Sequence, residues 1–326
     1  MMCLIFLLKC EGFLMKKLKM TATKTLTFQE GCEKYLEYCR QRNLREGTIN
    51  HYRQSYTQFY KFFPPETPLE KIDEAAYKRY VLHLKATLNN DISINSYLRD
   101  FITTMHFLMN EGYASHFKMQ AIKVDKSHIE TYTENELKLL LKKPDVKKCK
   151  FMEYQCWVMT NFLFSTGVRQ RSLMNIKVKD IDFDNSVVYV NVTKNRKPLI
   201  VPLNQTMINI LIEYLKHRQN KSQEDYLFCN VFGQQLVKST CYHILADYNK
   251  RRGVATTGIH RYRHTFAKQW ILNGGNVVSL SKLLGHSSLD ITQNYINLLV
   301  SDVAKEVNET NVLEKFYRKN RISMLR

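Results

Sequence analysis

The amino-acid sequence predicts a mainly α-helical chain with one small antiparallel β-sheet, divided into an N-terminal helical domain and a larger mixed α/β domain. Three observations carry this. Apolar residues recur at helical spacing over residues 26–119, the period changes to two over residues 178–201, and a polar, basic stretch without periodicity (residues 121–129) separates the first region from a new helix start at Thr133. A length of 326 residues suits two domains at roughly 100 to 200 residues each. The boundaries read as an extension at 1–24, a helical domain at 25–120, a linker at 121–130 and a second domain at 131–326.

The helical domain opens with Phe28, Cys32, Tyr35, Leu36 and Cys39 on one face, then Ile49, Tyr52, Tyr56, Phe59 and Phe63 on a second, stopped by Pro64-Pro65. Asp73 is placed to cap a third helix with Tyr77, Val81 and Leu84 inward. Ser93 or Ser96 is expected to open a fourth through Leu98, Phe101, Met105 and Leu108, with Gly112 closing it. In the second domain, Thr133-Glu-Asn-Glu136 is a capping box, and residues 151–164 form a long apolar run ending at Ser165-Thr166-Gly167. Val178, Ile181 and Phe183, then Val187 to Val190 across Asp184-Asn185-Ser186, read as a hairpin; residues 199–201 add a strand after a basic bend. Asn204 caps the next helix, and beyond Phe232-Gly233 the pattern is helical to the end, with a last amphipathic segment at 303–316.

Composition bounds the class. Hydrophobic residues at 44% fill ordinary cores, which excludes a mostly disordered chain. Forty-nine Lys+Arg against thirty Asp+Glu give a net charge of +19, and a surplus of that size points to a polyanionic partner. The eight cysteines contain no C-x-x-C pair, so no zinc ribbon or redox motif is written here. Cys32/Cys39 and Cys149/Cys156 are each seven residues apart, which reads as buried thiols on helix faces in a reducing compartment. The apolar patch at 3–8 is far below the roughly 18 to 20 residues that cross a bilayer. It lacks a basic flank before it and a small-residue cleavage site after it, so no membrane association is expected and the location expected is cytoplasmic. Met15 and Met20 are alternative starts.

The residues that bear chemistry sit in the second domain. Breaking a DNA strand requires an attacking oxygen in line with the leaving oxygen, fixed cations around the phosphoryl oxygens and a proton for the leaving group. Arginine's planar fork grips two phosphate oxygens at once, lysine or histidine supplies protons, and a tyrosine phenolate attacks and stores the bond. The sequence offers Arg169 after a helix-ending glycine, Lys194 on the strand bend, His260 and Arg263 three apart on one helix, His286 in a Gly-His-Ser turn, and Tyr295. Singly, each has a plainer explanation: a surface arginine, a solvated hairpin lysine, a cap, one tyrosine among nineteen.

Together and in this order, in TGVRQRSLMNIKVKDIDF, TKNRKPLIVPL and GIHRYRHTFAKQWILNGGNVVSLSKLLGHSSLDITQNYI, they resemble the tyrosine recombinase (phage integrase) family. The resemblance covers residues 165–296; the helical region is similar in placement and size to the family's SAM-like core-binding domain. It implies a catalytic set of Arg169, Lys194, His260, Arg263, His286 and the nucleophile Tyr295, with no metal and no cofactor. Arg169 and Arg263 would clamp the scissile phosphate, Lys194 would protonate the leaving 5′-oxygen, His260 would move a proton for the nucleophile, and His286 would hydrogen-bond a phosphoryl oxygen. The DNA-binding residues expected are Arg40, Arg42, Arg45, Arg53, Lys123, Lys126, Arg196, Lys197 and Arg261. The implied partners are double-stranded DNA, further copies forming a tetramer on two sites with the C-terminal segment docked on a neighbour, and an excisionase or other DNA-bending accessory protein. The task expected is integration and excision of a mobile element. The alternatives are a Xer-like dimer resolvase, a type IB topoisomerase, or an inactive DNA-binding accessory protein. One departure stands out: the family carries an acidic residue three positions after the first arginine, and this chain has Ser172. If that carboxylate buttresses the arginine, the support must come from elsewhere.

Overall fold

The computed structural model describes residues 26–125, 129–193, 196–218, 222–286, 288 and 292. It divides into two compact units, Met1–Lys126 and Ser127–Arg326. The fold is mostly helical with a three-stranded antiparallel sheet, and no described helix is long and apolar enough to cross a membrane.

The first unit contains α1 (Phe28–Gln41), α2 (Glu46–Phe59), α3 (Glu74–Thr87) and α4 (Asp91–Asn110). Thr27 opens α1 with a full capping box to Glu30, and Asp73 caps α3 by accepting from the Ala76 amide at 2.7 Å. The start of α4 lies earlier than the serines predicted. Asn90 accepts from the amides of Ile92 and Ser93, and an asparagine beside a first-turn aspartate makes a stronger start than a mid-run serine. The core is aromatic, with Phe28, Phe59, Tyr80 and Phe101 all at 0% exposure. Tyr80 was not on the predicted face of α3; it packs edge-on to Phe59. Val81, predicted inward, is half-buried against the same core.

The second unit is built on α6 (Phe151–Thr166), preceded by α5 (Glu134–Leu141), whose capping box joins Thr133 and Glu136 as predicted. Helix α6 is apolar on nearly every side, as a helix surrounded by partners must be. Helices α8 (Gln205–Arg218), α9 (Lys238–Arg251) and α10 (Ile259–Leu272) pack around it, and α5 covers it as well. Its one fully buried amide, Gln155, is satisfied: its Oε1 accepts from Tyr214 at 2.8 Å and its Nε2 donates to the Cys229 carbonyl at 2.9 Å.

After the short α7 (Gln170–Leu173) the chain forms β1 (Ile181–Asp182), β2 (Val187–Val190) and β3 (Leu199–Pro202), ordered 1-2-3 with Val188 opposite both Ile181 and Val201. The first strand is shorter than the alternation predicts. Residues Val178–Asp180 tighten into a 3-10 turn, because the Asp180 carboxylate accepts from the Lys177 amide at 2.8 Å and turns the backbone there. Asn204 caps α8 through the Met207 amide at 2.8 Å, and α11 (Val277–Leu284) follows α10. Cys32, Cys39 and Cys156 are buried as expected, but Cys149 is half-buried and lies two residues ahead of α6 in a turn closed by Asp145. The terminal segment at 303–316 and the extension at 1–24 lie outside the described residues.

Candidate active site

Three helix ends meet at one place. Helix α6 stops at Gly167, whose backbone is left-handed at φ 60°. A Cβ there would stand 2.5 Å from Cδ1 of Phe266 and 2.9 Å from Cδ2 of Leu284, so only glycine lets α6, α10 and α11 approach this closely. The turn delivers Arg169 at the N-cap of α7. Helix α11 ends in a second left-handed glycine, Gly285 at φ 59°, and His286 follows it.

Helix α10 is held in rotation by a buried polar chain. The Tyr262 hydroxyl donates to Asn249 Oδ1 at 2.6 Å, Asn249 Nδ2 donates to the Tyr132 hydroxyl at 2.9 Å, and the Tyr132 amide donates to Thr265 Oγ1 at 2.9 Å. With Tyr262 and Thr265 fixed on one side, Arg263 is driven into the junction, where it is 5% exposed. Its Nη1 donates to the Gly167 carbonyl at 2.8 Å, and its Nη2 lies 2.8 Å from both the Leu284 carbonyl and Nε2 of His286. Arg169 donates to the same Leu284 carbonyl at 3.3 Å. One main-chain oxygen thus gathers both guanidinium groups.

Between them lies a cavity of about 400 Å³ lined by Arg169, Ser172, Thr193, Lys197, Arg263 and His286 among others, none of the described lining residues being acidic. The field in it is positive. Burial first, then Arg263 and Arg169, pushes the His286 imidazole down to about 4, so the ring is neutral at neutral pH. The Arg263 N–H can only donate, so His286 Nε2 accepts. The ring's other nitrogen, Nδ1, is 2.8 Å from Oγ1 of Thr292, a fully buried threonine. Preorganised cations in a partly dry recess are suited to hold a phosphoryl group and to stabilise charge developing on it.

The structure therefore brings Arg169, Arg263 and His286 together. His260 stands one turn before Arg263 on α10, exposed, and outside the cavity lining. Lys194 and Tyr295 lie outside the described residues. Ser172 is 6% exposed and its hydroxyl donates to the Val192 carbonyl at 2.9 Å, so it ties α7 to the strand bend.

Of the expected DNA-contacting side chains, Arg40, Lys123, Arg196 and Lys197 are exposed. Arg42 is exposed and donates to the Tyr38 hydroxyl, and exposed Arg53 is engaged by Glu46 and Asn50. Arg45 is half-buried at the N-cap of α2. Lys126 lies outside the described residues. Arg261 turns inward instead of outward. It pairs with Glu130, lies over the Tyr132 ring and keeps only 12% of its side chain exposed, so its guanidinium is already engaged within the protein.

Sequence reasoning missed Thr292 and His264. His264 is half-buried, pushed down to about 4 by burial, then by His260 and Arg263. Neither residue has a spacing signal of its own, although Thr292 falls six positions after His286.

Comparison with known proteins gives the family and the fold. The profile described as "Phage integrase family" matches residues 130–301, and that described as "Phage integrase SAM-like domain" matches residues 27–127. The tyrosine recombinase XerD of Staphylococcus haemolyticus is 26% identical over 290 residues, covering 85% of this chain and 97% of that protein. XerD of Listeria monocytogenes is 27% identical, covering 82% and 94%. Among solved structures, the Tn1549 transposon integrase in complex with a circular intermediate DNA aligns with a TM-score of 0.66 at 20% identity, covering 84% of this chain and 99% of that one. A lambda integrase dimer bound to a COC′ core site aligns with a TM-score of 0.66 at 16% identity, covering 82% and 97%. At these identities the structural likeness is one of fold.

Proposed function

The chain belongs to the phage integrase family of tyrosine recombinases, and on that premise we propose that it cleaves and rejoins double-stranded DNA at specific sites through a 3′-phosphotyrosyl intermediate, in the integration and excision of a mobile element. The observation that carries the reading is the convergence of Arg169, Arg263 and His286 on one cationic cavity. An entering phosphodiester offers both guanidinium groups better acceptors than the Leu284 and Gly167 carbonyls they hold without DNA.

In the reaction proposed, the Tyr295 oxygen attacks phosphorus and gives up its proton with the help of His260. The bond from phosphorus to the 5′-oxygen breaks, and Lys194 protonates that oxygen as it leaves. Arg169, Arg263 and His286 offset the charge on the non-bridging oxygens. A 5′-hydroxyl from a partner duplex then attacks the phosphotyrosine, reversing each proton movement, so bond energy is conserved and no nucleotide is consumed. Arg40, Arg42, Arg45, Arg53, Lys123, Lys126, Arg196 and Lys197 contact the DNA backbone. Four copies assemble on two sites, each lending residues 303–316 to a neighbour, with an excisionase-like protein bending the DNA.

The likeness in fold to the Tn1549 transposon integrase and lambda integrase supports the mobile-element role. Similarity to XerD proteins over nearly their whole length favours a second reading, resolution of chromosome dimers. Deleting the gene separates them: an element fixed in its site supports the first, accumulated dimers the second. The chemistry itself is tested with a nicked suicide duplex carrying the target site. A covalent protein–DNA adduct that forms with the wild type and disappears with Tyr295→Phe is expected; no adduct with the wild type overturns the proposal.

A further inference from the structure

His286 is placed by two neighbours whose roles differ. Arg263 Nη2 lies 2.8 Å from its Nε2, and Thr292 Oγ1 lies 2.8 Å from its Nδ1. A guanidinium N–H has no lone pair to offer, so a hydrogen on Nε2 would face another hydrogen across 2.8 Å. This excludes the imidazolium and the Nε2–H tautomer. The neutral Nδ1–H tautomer remains, and Thr292 Oγ1 must accept from it. Thr292 is fully buried, so its hydroxyl is not exchanged for water. It also lies three residues before Tyr295 in the chain.

Resting on the function proposed above, we propose that Thr292 is a positioning residue for DNA cleavage. It accepts the Nδ1 proton of His286 in the DNA-free and DNA-bound states alike, so that the ring becomes a donor to phosphate by gaining a proton at Nε2 alone. Among the described residues, the charged groups lining the cavity with the ring are Arg263 from α10, Arg169 ahead of α7, and Lys197 from the strand bend. Without DNA, burial first and then Arg263 and Arg169 hold the ring neutral, in keeping with its lowered pKa. A phosphate reverses that field: Arg263 turns its N–H to a phosphoryl oxygen, Nε2 loses its donor, and the negative charge favours a proton there. The proton comes from solvent and returns to solvent when the DNA leaves. Because Nδ1–H already has its acceptor, the ring neither flips nor exchanges tautomers.

Two measurements test this on the full-length chain. In ¹⁵N-histidine NMR spectra without DNA, His286 is expected as the Nδ1–H tautomer in the wild type and also in Thr292→Val, where Arg263 still donates to Nε2; the variant, which keeps the shape and removes the hydroxyl, is expected to shift the Nδ1 resonance as its hydrogen bond is lost. Single-turnover adduct formation with a suicide duplex is then followed from pH 6 to 9. An imidazolium deprived of its Nδ1 acceptor is a stronger acid, so Thr292→Val is expected to match the wild type near pH 6 and fall about tenfold behind near pH 8. Thr292→Ser, which restores the hydroxyl, is expected to restore the wild-type profile. A pH-independent loss in both variants makes Thr292 merely structural and overturns the proposal, as does a wild-type profile in Thr292→Val or an Nε2–H tautomer in the wild type. Failure of the functional reading looks different: the wild type forms no adduct at any pH, and the cleavage role falls with it.

Discussion

Replacing Gly167 with alanine tests whether the close approach of α6, α10 and α11 builds the site. The perturbation has two parts. The position sits at φ 60°, where a Cβ costs about 1 to 2 kcal/mol. The added methyl would also stand 2.5 Å from the Phe266 ring and 2.9 Å from Leu284, well inside ordinary contact, and overpacking of that kind costs about 1 to 3 kcal/mol. The sum is about 2 to 5 kcal/mol. Two other glycines separate the parts. Among the described residues, a Cβ at Gly233 (φ 80°) meets nothing within 4 Å, and one at Gly285 (φ 59°) meets only Leu199 at an ordinary 3.5 Å. Alanine at either should therefore cost the backbone part alone, about 1 to 2 kcal/mol.

Both tryptophans, Trp157 and Trp270, lie in the second unit, so urea unfolding followed by their fluorescence reports this unit without the first. The expected order is Gly167→Ala well below Gly233→Ala and Gly285→Ala, at an unchanged m-value. Gly167→Asn should not rescue, because asparagine tolerates the backbone but keeps the Cβ. Gly167 and Leu284 also present the carbonyls that hold Arg263. Adduct formation by Gly167→Ala should therefore drop further than the fraction unfolded explains, measured where the variant remains folded. Equal costs at 167 and 233 would refute the close-packing argument, and a folded Gly167→Ala with full activity would refute its link to the arginines.

Arg169→Ala and Arg263→Ala should each lower the single-turnover cleavage rate by about 100-fold or more while changing DNA affinity little; a gel-shift titration beside the cleavage assay checks this, and equal losses would make them plain backbone contacts. Affinity itself should fall linearly on a log–log plot against salt, and Arg196→Ala with Lys197→Ala should flatten that slope by about 2 if both meet phosphates. Stability of the second unit should depend on pH through His264 and His286. Both are pushed down to about 4 in the fold, against about 6.5 when unfolded, so the unfolded chain binds more protons between those values. Their contribution is complete above about pH 6.5 and is lost as pH falls towards 4. Urea midpoints measured across that window should decline, and His264→Gln should reduce the decline; a flat profile would contradict the burial of these rings.

The helical regions were legible wherever a cap and a period agreed. Thr133 with Glu136, Asp73 and Asn204 each supplied a side-chain acceptor ahead of an apolar stripe, and each helix begins where that acceptor lies. The failures have one cause, competition between signals of similar strength. Asn90 outweighed two serines as a helix start, and the Asp180 carboxylate curled a segment whose side chains alternate like a strand. Cys149 has helical spacing from Cys156, but no helix extends to it. Arg261 is basic and next to the expected site, yet Glu130 and the face of Tyr132 offer its guanidinium a partly dry place. No local pattern announces a partner 131 residues away in the chain.

The same reasoning explains the missing carboxylate. Ser172 suggested a weakened Arg169, because a sequence displays only side chains as possible supports. The oxygen that orders the arginines belongs instead to the main chain of Leu284, presented by the left-handed turn at Gly285. A main-chain carbonyl carries no letter in the sequence; what carries one is the glycine that aims it. It also carries only a partial charge, and the nearby imidazole feels the field of both arginines. A carboxylate at position 172 would cancel part of that field. Ser172→Asp should therefore raise the His286 pKa in the DNA-free protein, a change that ¹⁵N-histidine NMR reads directly. An unshifted His286 would mean that position 172 is electrically remote from the ring, and the substitution of serine for the acid would then need another explanation.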